Sequence, residues 1–154
     1  MAETSKEYTI SVEVTTENGE SDLRRTLKGM EAEFGNVTFT LKVDKRELIP
    51  LETIVDVTLR ITSSLAAAIF LKMLEKLWQD LKKNKLVPRT AELDGVQSFA
   101  EKYLESIRVT GSTLLRRNDK GLYVRFTFRD SKRVLHILDV TSFEPQIVKY
   151  ERRK

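Results

Sequence analysis

The chain has no cysteine, one histidine, three prolines and six glycines in 154 residues. Without a thiol it forms no disulfide, no thiolate metal site and no cysteine nucleophile. It also lacks the usual mark of a small extracellular fold, so a cytoplasmic setting is expected. The glycines stand singly at 19, 29, 35, 95, 111 and 121. That leaves no Gly-rich phosphate loop and no Gly-Lys-Ser/Thr, and excludes nucleotide hydrolysis of the P-loop kind. Long apolar runs are missing too. In the most apolar region the longest uncharged run, Ile61 to Leu71, is 11 residues, whereas a membrane span needs about 20. No span is expected, and Met1 to Asp22 contains no apolar run of the signal-peptide kind.

What the chain does have is charge, and it is divided by position. Met1 to Leu81 carries 10 Lys/Arg against 14 Asp/Glu, while Lys82 to Lys154 carries 17 against 9, so a net charge of +4 hides an acidic first half and a basic second half. Such asymmetry points to an anionic partner for the second half: nucleic acid, an acidic protein, or the first half of another copy. Lys, Arg and Glu are abundant and Asn, Gln and Met scarce, a balance common in proteins of hot environments. The length fits one domain across 1–154.

The apolar pattern predicts an α+β fold: an N-terminal β-α-β unit, a long central helix, a second helix and a C-terminal antiparallel β-meander. Tyr8, Ile10, Val12 and Val14 alternate with polar residues, as do Val37, Phe39, Leu41 and Val43, giving two strands. Between them Leu23, Leu27, Met30 and Phe34 recur at helical spacing, with Gly35-Asn36 as the stop. Strand, helix and strand with short links predict parallel neighbours in one sheet.

Pro50 to Lys85 carries two conflicting signals. Val55, Val57, Leu59 and Ile61 alternate as in a strand, yet Pro50-Leu51-Glu52 reads as a helix start. One long helix is favoured, with Ala66, Ile69, Phe70, Met73, Leu74, Leu77 and Leu81 on its apolar face. Lys82 to Thr90 reads as a basic linker closed by Pro88. Asp94 is placed to cap the second helix, whose apolar face is Val96, Phe99, Ala100, Tyr103, Leu104 and Ile107. From Val109 the period becomes two: Thr113 to Leu115, Val124 to Phe128 and Val134 to Val140, with a short strand at Ile147 to Tyr150. Phe34, Phe39, Phe70, Trp78, Phe99, Phe126 and Phe128 are the expected aromatic core.

Catalytic constellations are thin, so the chain is expected not to be an enzyme and to need no cofactor. His136 has the imidazole of a general base, but its place inside a strand fits a core histidine with a hydrogen-bond partner. Glu101 and Glu105 share a helix face as metal-binding carboxylates could, although Lys102 and Arg108 flank them on a polar surface. Asp119 and Asp130-Ser131-Lys132 supply the letters of a metal-dependent nuclease but fall in predicted turns.

The basic meander is the stronger lead. Tyr123, Arg125, Thr127 and Arg129 are predicted to face outward, with Arg116 or Arg117 beside them and Lys132 and Arg133 at the next turn. One aromatic among several arginines suits single-stranded RNA or DNA, which needs phosphate neutralisation and a stacking platform. Asp56 and Arg60, four apart, would pair on a helix and fix the register of an interface. The leading functional expectation is a non-enzymatic protein-interaction or adaptor module that self-associates through its oppositely charged halves. Nucleic-acid binding through the meander stands second, and a carboxylate-based metal enzyme third.

Overall fold

The computed structural model describes residues 5–46, 52–62 and 65–154. Among the described residues the fold is α+β with three helices, and the chain divides into two compact units, Met1–Arg89 and Thr90–Lys154. Each unit has its own four-stranded sheet.

The N-terminal unit runs β1 (Ser5–Val14), α1 (Gly19–Phe34), β2 (Val37–Arg46), β3 (Glu52–Thr62), α2 (Ala67–Lys83) and β4 (Leu86–Pro88). Its sheet has the order β2-β3-β1-β4, and every adjacent pair is antiparallel. This element order and pairing is the split β-α-β, or ferredoxin-like, arrangement. It corrects three expectations. β1 and β2 do run parallel, but β3 lies between them and pairs with both, so they are not neighbours. The helix favoured from Pro50 is a strand over Glu52–Thr62, while Pro50, Leu51, Ser63 and Ser64 lie outside the described residues. The segment read as a basic linker contributes β4, which pairs with β1 and places Pro88 on an edge strand, where its missing N–H is tolerated.

The strand wins over the helix at 52–62 for a physical reason. A helix-start signal is worth less than about 1 kcal/mol. Burying a Val, Leu or Ile side chain is worth about 1.5–3 kcal/mol, and only a period of two puts Val55, Val57, Leu59 and Ile61 on one face. All four are buried, together with Tyr8, Ile10, Val12 and Val14 of β1. α1 contributes Leu23, Leu27 and Met30 to the buried set, and α2 contributes Phe70, Leu71, Met73, Leu74, Leu77 and Leu81. Leu71 thus takes the place expected for Ile69, which is exposed. The Tyr8 and Phe70 rings meet at 5.2 Å. Trp78 is half-buried, with Lys82 Nζ 5.6 Å over its ring. On the outer edge of the sheet, the backbone N–H of Phe39 in β2 donates to Glu31 Oε1 of α1 at 2.7 Å.

The turn from β1 into α1 leaves no room for a side chain. A methyl group on Gly19 would lie 2.3 Å from Val14 Cγ1, whereas one on Gly29, in mid-helix, meets nothing within 4 Å. Gly19→Ala is expected to destabilise by about 1–3 kcal/mol through overpacking. Gly29→Ala should gain about 0.5–1 kcal/mol from the backbone entropy that glycine forfeits. Urea melts of both variants check this, and a neutral Gly19→Ala would disprove the close packing of the turn.

The C-terminal unit is α3 (Leu93–Ser106) followed by a meander of β5 (Thr113–Asp119), β6 (Tyr123–Arg129), β7 (Leu135–Thr141) and β8 (Ile147–Arg153), in the sheet order β5-β6-β7-β8. α3 covers one face, and the core is Val96, Ala100 and Leu104 from the helix with Val124, Phe126, Phe128, Leu138 and Val140 from the sheet. Phe99 and Ile107, expected in this core, are exposed. Glu92, not Asp94, occupies the N-cap position; Asp94 sits in the first turn, where a carboxylate suits the helix dipole.

Candidate functional site

The face of the C-terminal sheet turned away from α3 is the candidate site. Strand register assigns its members in three rows: Thr113, Arg129, Leu135 and Arg153; Arg116, Thr127, Ile137 and Glu151; and Asn118, Arg125, Asp139 and Lys149. A β-bulge in β5 between Leu114 and Arg116 sets which arginine faces which way. Arg116 lies opposite Thr127 on the open face. Arg117 lies opposite Phe126 and turns to α3, where its Nη1 reaches Asp94 at 3.3 Å and Gln97 at 3.1 Å.

Two ion pairs organise the face. Arg125 binds Asp139 with both arms of its guanidinium, Nε–Oδ1 at 2.7 Å and Nη2–Oδ2 at 3.2 Å. The Asp139 side chain is 2% exposed and that of Arg125 42%, so the arginine covers the carboxylate and fans toward solvent. Arg153 Nε donates to Glu151 at 2.8 Å, and this bond holds the Glu151 carboxyl below the ordinary range. Arg116, Arg129 and Lys149 make no ion pair among the described residues. The face therefore carries five cations against two carboxylates, around the half-buried aliphatics Leu135 and Ile137.

The expected outward aromatic is absent. Tyr123 is 3% exposed, so the stacking platform predicted from the alternation of β6 is withdrawn. Lys132 and Arg133 are exposed in the turn between β6 and β7, off the sheet face, and Arg133 takes a left-handed φ of 64°.

Asp56 and Arg60 do not pair. On a strand they are four residues apart along one face, far beyond contact. Asp56 accepts from Ser11 Oγ at 2.7 Å, and Arg60 Nε donates to Glu7 at 2.9 Å, both across the β1–β3 ladder. The open face of the N-terminal sheet is otherwise rich in threonine, with Thr40, Thr58 and Thr9 in one row. Among the described residues it presents none of the aromatics on which ferredoxin-like RNA binders stack bases.

The nuclease letters do other work. Asp119 Oδ1 accepts the Gly121 N–H, and Asp130 Oδ1 accepts the N–H groups of Lys132 and Val134. Glu101 accepts from Gln97 Nε2 at 2.9 Å on the exposed face of α3.

His136 is buried on the α3 side, with both ring nitrogens engaged: Nε2 lies 2.9 Å from Asp130 Oδ2 and Nδ1 lies 2.6 Å from Tyr150 Oη. The His136 hydrogen bond, ahead of the backbone bonds, holds the Asp130 carboxyl below the ordinary range, and burial pushes the Tyr150 hydroxyl up. Sequence reasoning missed Asp130 and Tyr150 as partners. The available signal was that a lone buried histidine must satisfy two nitrogens and that Asp130 stands at the foot of its own hairpin.

The charge division takes a different form once the units are known. Met1–Arg89 holds 14 Lys/Arg and 14 Asp/Glu, whereas Thr90–Lys154 holds 13 against 9. Lys82, Lys83, Lys85 and Arg89 belong to the N-terminal unit and neutralise it. Among the described residues no helix is long and apolar enough to cross a membrane. Compared with family models, curated proteins and solved structures, the chain matches none.

Proposed function

We propose that the chain is a protein-interaction module, and that its C-terminal unit docks an acidic protein segment on the open sheet face. The observation that carries this reading is the set of outward cations on a sheet face with a half-buried aliphatic centre and, among the described residues, no outward aromatic. Arginine with aliphatic neighbours and a charged rim is the composition of a protein contact surface. Complementary charge steers such an encounter and sets its specificity. The neutrality of the N-terminal unit removes the charge-based reason for one copy to pair with another, so the reading shifts from self-association to a separate acidic partner. Nucleic-acid binding through the same face loses its support with the burial of Tyr123.

Fluorescence anisotropy with labelled polyglutamate and labelled single-stranded RNA, each at about 50 and 200 mM salt, tests the reading. Polyglutamate is expected to bind more tightly than RNA, and Arg116→Glu with Arg129→Glu to weaken it by about tenfold or more. Tighter binding of RNA with a steep salt slope would return the face to nucleic acid. No binding of either at low salt would discard it as an anionic contact surface.

A further inference from the structure

On the other side of the C-terminal unit, a cavity of about 420 Å³ opens between the end of α3, the β6–β7 turn and β8. Three cations line it: Arg108 after the helix, Lys132 from the turn and Arg152 from β8. None of the three makes an ion pair among the described residues. Among the described residues the one carboxylate in the lining, Asp130, is already committed: Oδ2 to His136 Nε2, and Oδ1 to two backbone N–H groups. The cavity therefore holds positive charge with no free counter-charge of its own. The hydroxyls of Thr110, Ser131 and Tyr150 share its lining.

Arg108 is held there at a conformational cost. α3 ends in a Schellman motif, with Val109 N–H on Leu104 O at 2.9 Å and Arg108 N–H on Glu105 O at 3.0 Å. Arg108 occupies the left-handed position, φ 64°, where glycine is usual. A side chain kept in such a conformation beside a cavity suggests a use.

The chain Asp130–His136–Tyr150 closes one wall of the cavity: His136 Nε2 lies 2.9 Å from Asp130 Oδ2 and Nδ1 lies 2.6 Å from Tyr150 Oη, so the carboxylate of the lining is tied to the imidazole. The charged and titratable groups around His136 and the cavity are Asp130 and Lys132 from the turn, Tyr150 and Arg152 from β8, and Tyr103 and Arg108 from the α3 end. Its partner on β6 is apolar Phe128.

We infer that this cavity binds the phosphoryl group of a small phosphomonoester, held by Arg108, Lys132 and Arg152 with a hydroxyl of the lining. A phosphomonoester brings three strong acceptor oxygens and close to two negative charges at neutral pH, which matches three cations and a hydroxyl donor. The remaining volume, beside Tyr103 and Ile107, accommodates the organic part. This site is independent of the open sheet face.

The chain's single histidine gives one imidazole signal in NMR spectra, a direct reporter of the cavity. Phenyl phosphate added to the full chain at pH 7.5 is expected to move that signal saturably. Lys132→Gln and Arg152→Gln should each weaken binding by about tenfold, and Lys102→Gln on the exposed face of α3 should leave it unchanged. Arg108→Gly restores the preferred residue to the helix end, so it should bind more weakly while melting no lower than the parent, and loss of fold cannot explain its result. An imidazole signal unmoved by about 20 mM phenyl phosphate, wild-type affinity in the Lys132 and Arg152 variants, or equal affinity for phenyl sulfate would each overturn the assignment.

Discussion

Replacing Arg125 by Ala is expected to destabilise the C-terminal unit by about 2–3 kcal/mol, well above the cost of replacing its partner Asp139 by the same residue. The two variants break the same bidentate pair, but they strand different groups. Without Arg125, the Asp139 carboxylate is left 2% exposed with its main counter-charge gone, and an unpaired buried charge costs several kcal/mol. Without Asp139, the guanidinium, already 42% exposed, turns outward and recovers hydration. The exposure of Arg125 is also why the expected figure falls at or below the low end of what breaking a fully buried pair costs. The double variant should be more stable than Arg125→Ala alone. Urea denaturation of the three variants at neutral pH decides it, and equal costs for the two single variants would show that Asp139 is better solvated than its burial implies.

Phe126→Ala is expected to cost about 3–5 kcal/mol, against under about 1 kcal/mol for Phe99→Ala. The sequence places both rings in the core. In the structure Phe126 is fully buried among Val96, Ala100, Leu104 and the inner residues of β6 and β7, with its ring 6.1 Å from that of Phe128. Phe99, on a flank of α3, keeps about a third of its surface in water. Truncating the first removes transfer free energy and leaves a cavity; truncating the second does little of either. In a unit of this size the larger loss approaches the whole stability. Thermal melts followed by near-ultraviolet circular dichroism separate the two, and a mild Phe126→Ala would mean that the sheet collapses onto the vacancy.

The meander was legible because its alternation is strict and its turns are marked: Asn118 to Gly121 and Asp130 to Lys132 fall between the strands as the residue types demand. The N-terminal unit was half legible. Each strand shows its period, but adjacency does not follow from period. A crossover between β1 and β2 leaves room for one strand, and β3 fills it because it forms an antiparallel pair with each of them. The site was less legible than the fold, for local reasons. One extra residue at Leu115 exchanges the faces of Arg116 and Arg117, and no sequence pattern announces a bulge. Tyr123 shares the parity of Arg125, yet burial at that end of β6 depends on what lies over it rather than on alternation. The charge division was real in the sequence, but its boundary at Lys82 did not coincide with the boundary of the folded units at Arg89.

The hydrogen bond from Phe39 to Glu31 bears on how the N-terminal sheet meets other chains. β2 is a ten-residue edge, long enough to template an incoming strand. With one outward N–H already occupied by a carboxylate from the neighbouring helix, a strand arriving at that position must displace a charged acceptor before it can add. A single glutamate thus caps one position of an edge that has no proline, and sheet extension there would begin by breaking a charge-assisted bond.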